Sequence, residues 1–333
     1  MKINTEEYQI HLVNTFRTTH GARDVMDVLI VNIEEGLGEA SPVHYYGEDL
    51  FTVKNFIEKA SRQIDADPFQ LEKLSSDLER VGAFNYSAKA AIDMAMHDLA
   101  GKKLGVPLYK YLGITPRTDL ATSFTISISD PDTMKKQTEK NKGYHVYKVK
   151  VGVPGDIEMI EAVRDATKAR IRVDANEGWT VKEAFPKIKE LERLDIEFIE
   201  QPLHRDDFDG FKLLRAKTDL PIIVDEGVFR SGDIPKYVGL ADGINIKLSK
   251  SGGIREAMKM ISVARAHKMK VMIGCMVETS VGITAAAQVA SLVDYADLDG
   301  NILISDDPFK GVEVENGYLK LPDGPGLGVV KRQ

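Results

Sequence analysis

Residues 8–14 and 25–33 are runs rich in β-forming side chains, and the second ends at Glu35-Gly36-Leu37-Gly38. The pattern predicts a small antiparallel sheet with a turn at those glycines. Residues 50–64, 68–81 and 87–104 then repeat apolar side chains every three or four positions, and Pro107 punctuates the third repeat, so three helices are expected. From about residue 119 the rhythm changes to short apolar strands alternating with amphipathic helices. The strand candidates are 123–128, 146–151, 171–175, 197–200, 222–225, 244–248, 271–275 and a weak 295–299. Near-continuous apolar strands separated by helices imply a parallel sheet covered by helices, and eight such units close into a barrel. The alternative is an open doubly wound sheet, which usually opens on a glycine-rich turn, whereas Ser129-Asp130-Pro131-Asp132 follow the first strand. Gly324-Pro325-Gly326-Leu327-Gly328 has no helix after it and reads as a loop. The tail from about residue 312, with a possible strand at 318–321, is expected to return to the N-terminal module.

Charged residues recur where the barrel strands end: Lys148 and Lys150, Asp174, Glu200, Asp225, Lys247, and Asp297 with Asp299. From Lys150 through Asp174, Glu200 and Asp225 to Lys247 the intervals are 24, 26, 25 and 22 residues, about one strand-helix unit each. A barrel gathers all of them on its C-terminal rim, where barrel enzymes place their chemistry. An isolated strand-end carboxylate is more often a helix cap or a loop charge. Asp174, Glu200 and Asp225 on three neighbouring strands are different, because their mutual repulsion calls for a cation between them. Oxygen ligands without Cys or His suit Mg²⁺ or Mn²⁺ rather than Zn²⁺. Lys148 and Lys150, two apart on one strand, face the same way, and Lys247 lies across the mouth. Near a divalent cation and a second ammonium, such lysines are expected to have lowered pKa values and to act as bases on opposite faces of one carbon.

Composition narrows the partners. The 333 residues carry 44 Lys and Arg against 51 Asp and Glu, a formal charge of -7, so no basic excess points to nucleic acid. Residues 1–10 carry Lys2, Glu6 and Glu7 and no apolar stretch, no uninterrupted apolar run nears membrane-spanning length, and Cys275 is the lone cysteine. The expectation is a soluble cytoplasmic protein with no membrane partner.

Lys148-Val149-Lys150, Val173-Asp174-Ala175-Asn176, Ile199-Glu200-Gln201-Pro202, Val224-Asp225-Glu226 and the run from Asn245 to Gly253 resemble, in order and spacing, the muconate-lactonizing-enzyme subgroup of the enolase superfamily. The resemblance implies an α/β fold, a modified TIM barrel (β/α)₇β over residues 117–309. An α+β capping domain would be formed by residues 1–116 and the returning tail, 310–333. It implies Mg²⁺ (or Mn²⁺) on Asp174, Glu200 and Asp225, with Lys150 and Lys247 as acid/base residues and Lys148 supporting the substrate carboxylate. The reaction implied is removal of a proton α to a carboxylate through an enediolate. Met272-Ile273-Gly274-Cys275-Met276 offers no His at the seventh strand, so the mandelate-racemase branch fits poorly.

Gly274 to Thr279 and Ala296-Asp297-Leu298-Asp299-Gly300 look like the dipeptide epimerases, in which Asp297 and Asp299 would bind the α-ammonium of the dipeptide. Ser123, Thr125, Cys275 and Met276 are further candidate substrate contacts, and a capping loop at 15–24 would close over the C-terminal side chain. Within that loop Arg17 or Arg23 would pair with an acidic side chain, as in L-Ala-D/L-Glu epimerases; hydrophobic dipeptides remain open. Competing readings are an o-succinylbenzoate synthase, an N-acylamino acid racemase or a muconate cycloisomerase. From other classes come a Schiff-base lysine aldolase and a non-catalytic metal-binding protein. Homo-oligomers are common in the family, and nothing in the sequence sets a number.

Overall fold

The computed structural model describes residues 1–65 and 67–333. Three antiparallel strands open the chain, β1 (Asn4–Thr18), β2 (Gly21–Ile33) and β3 (Gly36–Ala40), followed by helices α1 (Leu50–Gln63), α2 (Leu71–Val81) and α3 (Tyr86–Leu104). The glycines expected to form the turn lie instead in β3, and the turn is made by Glu34 and Glu35. Packing is the reason. A Cβ on Gly36 would come 2.2 Å from Ala95 O, and one on Gly38 would come 1.9 Å from Ala91 O, so the glycines let the backbone of α3 lie directly on the strand.

Eight parallel strands follow: β4 (Phe124–Ile126), β5 (Val146–Lys150), β6 (Arg170–Asp174), β7 (Ile196–Glu200), β8 (Ile222–Val224), β9 (Gly243–Lys247), β10 (Lys270–Gly274) and β11 (Tyr295–Ala296). They pair in sequence order, and the sheet curls until Thr122, just ahead of β4, bridges Ala296 of β11. The mixed α/β barrel with a separate antiparallel sheet is the fold expected from the alternation of strands and helices. Its eighth strand is short. Only Tyr295 and Ala296 pair, so Asp297 and Asp299 project from the segment after the strand rather than from its pleat. Inside the barrel, Phe198, Ile223 and Met272 form a buried apolar layer. Arg172 fills the remaining space, donating to Ala296 O at 2.8 Å and to Glu197 at 2.7 Å.

Buried acids lock the cap onto the barrel. Asp93 of α3 accepts from Ile254 N at 2.5 Å, at the start of the helix Ile254–Ala266. Glu39 of β3 accepts from Thr279 N at 2.9 Å and Gly282 N at 2.8 Å, capping the helix Ser280–Val289 across the seam. The tail divides: the hairpin of Glu313–Glu315 with Tyr318–Lys320 lies at the N-terminal end of the barrel, where Gly317 O accepts from Thr122 N. Leu327 N reaches Asp98 of α3 at 2.6 Å. No helix among the described residues is long and apolar enough to cross a membrane.

Glu278 is buried beside Glu39 with one carboxyl oxygen unpartnered. Burial, then the Glu39 charge, pushes Glu278 up to about 8, and burial with a contribution from Asp307 holds Glu39 at about 7. Both acids therefore keep protons in the folded state that the unfolded chain releases near its ordinary carboxyl pKa, so their contribution to stability is fully present below that pKa and is lost as pH rises toward 8. Melting curves should show Tm falling between pH 6 and pH 9. Glu278→Gln is expected to flatten that slope and raise Tm at pH 9 by about 2 °C or more. A Tm that stays level or climbs over this range in the wild type would refute it.

Candidate active site

The rim of the barrel is assembled by register. Lys150 pairs with Asp174 and Asp174 with Glu200 on successive strands, Asp225 follows directly on β8, and Lys247 ends β9. Each of the three carboxylates has one oxygen anchored by the protein and the other turned toward the lysines. Asp174 Oδ1 accepts from Asn176 N at 3.0 Å, Glu200 Oε1 from Asn245 Nδ2 at 2.8 Å, and Asp225 Oδ1 from Lys250 Nζ at 2.6 Å. The remaining oxygens meet Lys150 at 2.6 Å (Asp174), Lys148 at 2.8 Å (Glu200) and Lys247 at 2.8 Å (Asp225). Among the described residues no three such side chains converge closely enough to hold an ion as they stand. The spacing has a visible cause: Lys148 lies between the acids, 3.1 Å from Asp174 and 2.7 Å from Asp297 as well as touching Glu200.

The donor set nevertheless fits a hard divalent cation. Glu200 Oε2 and Asp225 Oδ2 are buried, and the polar group nearest each is an ammonium, Lys148 and Lys247 respectively, at 2.8 Å. Charge agrees. Asp174, Glu200, Asp225, Glu226, Asp297 and Asp299 are buried against only four buried lysines, Lys148, Lys150, Lys247 and Lys250, which leaves two negative charges uncompensated. The surplus shows in the titration of the acids. Burial, then Asp174, holds Glu200 well above the usual carboxylate range, and burial with the Asp297 charge pushes Asp299 up to about 7.

Burial pulls Lys247 down, but Asp225 and Glu200 outweigh it and hold the ammonium above its ordinary range; Asp297 and Glu200 do the same for Lys148. The lowering expected of these lysines is one that a neighbouring divalent cation would impose, and the facing carboxylates act in the opposite sense.

Above the rim lies a cavity of about 450 Å³ lined by Lys148, Lys150, Lys247, Asp297, Asp299, Thr125, Cys275, Met276 and Arg23. Ser123 does not reach it and instead donates to Asp297 Oδ1, so its contact with a ligand would be indirect. Arg17 is likewise absent from the lining, whereas Arg23 stands opposite Phe16 across the β1–β2 hairpin and faces inward with it. The hairpin tip forms a lid. Thr19 Oγ1 donates to Asn176 O at 2.6 Å, and His20 stacks on Tyr45 at 4.0 Å and lies 3.6 Å from Glu226. Tyr45 in turn donates to Glu177. Gly152 makes room for this lid, because a Cβ there would strike Thr19 Cγ2 at 2.3 Å. Asn176, Glu226, Asn245 and Lys250 were visible only as parts of motif strings, and Tyr45-Tyr46 carried no signal beyond being adjacent aromatics.

Residues 3–113 match the mandelate racemase/muconate lactonizing enzyme N-terminal domain, and residues 133–332 match the enolase C-terminal domain-like family. The chain belongs to the mandelate racemase/muconate lactonizing enzyme family of the enolase superfamily. It is 43% identical to an L-Ala-D/L-Glu epimerase of Bacteroides thetaiotaomicron over 99% of this chain and 88% of that protein. Among solved structures it is similar to a dipeptide epimerase from Enterococcus faecalis complexed with Mg and the dipeptide L-Leu-L-Tyr (TM-score 0.93, 35% identity, 98% of each chain). It is also similar to a substrate-liganded L-Ala-D/L-Glu epimerase from Bacillus subtilis (TM-score 0.92, 32% identity, 99% of this chain and 98% of that one).

Proposed function

We propose that this family member is a Mg²⁺-dependent dipeptide epimerase that inverts the C-terminal residue, one lysine taking the proton from Cα and the other returning a proton on the opposite face. The observation that carries the reading is the joint presence, in one lidded cavity, of two ammonium groups on opposing walls and a buried carboxylate with capacity to spare. Asp174, Glu200 and Asp225 would hold the metal, whose charge makes a proton α to a carboxylate acidic enough to remove. Lys150 and Lys247 are the acid/base pair, and Lys148, tied to Asp297, stands by to balance charge on the substrate carboxylate. A Schiff-base aldolase would leave three anchored carboxylates without a role. The lone cysteine and the absence of a spanning helix among the described residues support a cytoplasmic setting.

The two aspartates differ in availability. Asp297 spends its oxygens on Ser123 and Lys148, whereas Asp299 accepts from Thr125 N at 2.6 Å and otherwise faces the cavity. Asp299 is therefore the main receptor for the substrate ammonium, with Asp297 supporting it. Asp299→Asn should lower kcat/KM for a dipeptide by about tenfold or more, the worth of one charge-assisted bond, and affect an N-acetylated dipeptide much less. Because Asp299 holds a proton below about pH 7, an incoming ammonium must displace it, so wild-type KM should fall as pH rises from 6 to 8. Loss of the C-terminal α-proton signal in D₂O with Mg²⁺, followed by ¹H NMR, measures both. Unchanged dipeptide turnover in Asp299→Asn would return the reading to an enolase-type proton abstraction on some other carboxylate.

Arg23 favours the acidic branch of the substrates. It is exposed on the lid, lines the cavity and has no ion-pair partner among the described residues. Arg23→Met is expected to raise KM about tenfold for Ala-Glu and to leave Ala-Leu nearly unaltered; equal effects on both would remove the assignment.

A further inference from the structure

A second, smaller chamber adjoins the active-site cavity on the side where the substrate ammonium would sit. Its volume is about 130 Å³, and Phe16, Thr125 and Leu303 form a wall common to both spaces. The chamber has a definite structural origin. Between His11 and Phe16 five residue steps on β1 oppose only two on β2, from Val25 to Arg23, so β1 carries three extra residues at this point. The bulge is fastened to the segment after the last barrel strand by Val13 N on Leu303 O at 2.9 Å and by the Leu12–Ile304 bridge. It thereby stands off from the first barrel strand and leaves a gap behind Phe16, the kind of local re-aiming that bulges produce beside active sites.

Six of the twelve lining residues are polar. Asn14 projects from the bulge, Ser127 from the loop after β4, and Gln137 and Lys140 from the helix Pro131–Lys140. Lys140 is the one charged residue among them. The neighbouring Lys135 is engaged with Asp165 at 3.5 Å, whereas Lys140 has no carboxylate within ion-pair reach among the described residues.

We infer that this chamber is the subsite for the side chain of the N-terminal residue, and that it selects long side chains ending in a carboxylate or amide oxygen, glutamate or glutamine. The inference rests on the dipeptide reading of the main cavity. An ammonium on Asp299 lies beside Thr125, whose backbone N–H holds that carboxylate. The Cα bonded to the ammonium is thus next to the common wall, and its side chain enters the gap by displacing Phe16 or Leu303. There it meets amide and hydroxyl donors and, at the solvent-exposed end, the ammonium of Lys140, which has no ion pair among the described residues; such a lining rewards an oxygen-ended chain and repels a cationic one.

The test is the kcat/KM for Ala-Glu, Glu-Glu, Gln-Glu and Lys-Glu with Mg²⁺ in D₂O, for the wild type, Lys140→Glu and Ser127→Leu. In the wild type Glu-Glu and Gln-Glu should exceed Lys-Glu by tenfold or more. Lys140→Glu should cut the Glu-Glu to Lys-Glu ratio by at least tenfold, and Ser127→Leu, which narrows the chamber, should cut the Glu-Glu to Ala-Glu ratio. Wild-type values that are equal for Glu-Glu and Lys-Glu, or ratios that neither variant moves, would overturn the subsite. If Ala-Glu itself is not epimerised, the failure lies with the dipeptide reading, and the subsite falls with it.

Discussion

Glu200→Gln is expected to reduce turnover by about a thousandfold or more while making the metal-free protein more stable. Both effects come from one fact: Glu200 is buried at the centre of a surplus of negative charge, with Oε2 facing the Lys148 ammonium at 2.8 Å. A carboxylate placed so is costly to fold around and valuable only for what it binds. The amide keeps its shape and can still meet Asn245 through its oxygen, but it would remove one of the three carboxylates proposed to hold a cation that needs oxygen donors at about 2.0–2.1 Å. Calorimetric titration should show Mg²⁺ affinity falling by an order of magnitude or more, and the rise in Tm that Mg²⁺ gives the wild type should shrink or vanish. Binding is read without reference to activity, so a dead but metal-competent variant would be recognised. Undiminished Mg²⁺ affinity in Glu200→Gln, or full wild-type activity in excess EDTA, would end the metal assignment.

How far the molecule could be read beforehand depended on whether the information was periodic or relational. The eight strands and the rim on which Lys150, Asp174, Glu200, Asp225 and Lys247 meet follow from a repeat of about 25 residues, and such a repeat survives in sequence because each strand-helix unit is one local structure. What required partners from far away was not readable. Gly36 and Gly38 carry the composition of a turn, yet their role is set by the backbone of α3, some sixty residues on. Asp297 and Asp299 have the spacing of a strand face, but Thr122, from the other side of the closure, takes Leu298 N at 2.8 Å where the pairing with β10 has already stopped. The direction in which Lys247 is shifted turns on Asp225 standing 2.8 Å away, and proximity of that kind is a product of the fold. The side chamber behind Phe16 is the extreme case. It exists because of an unequal count of residues on two strands, and no residue in it is unusual by itself.

Single replacements of Lys150 and Lys247 by Ala should each abolish net epimerisation, with losses of about a thousandfold or more, and yet leave different partial reactions. β5 and β9 are four strands apart in an eight-stranded barrel, so the lysines that end them face each other across its mouth. Lys150 is held on Asp174 at 2.6 Å and Asn176 at 3.2 Å, and Lys247 on Asp225 at 2.8 Å, so each ammonium is fixed to its own wall and neither is placed to substitute for the other. Asp174 and Asp225, on which these ammonium groups rest, are also two of the residues that would hold the cation, whose charge would favour the neutral amine at both lysines. With one base removed, a proton can still leave from and return to the remaining lysine's face. Solvent exchange without inversion should then persist for one epimer in Lys150→Ala and for the other in Lys247→Ala. ¹H NMR of each pure epimer in D₂O separates the two cases, since deuterium enters Cα while the configuration is kept. Equal exchange of both epimers in either variant would mean that one lysine reaches both faces, and the opposed-wall mechanism would have to be given up.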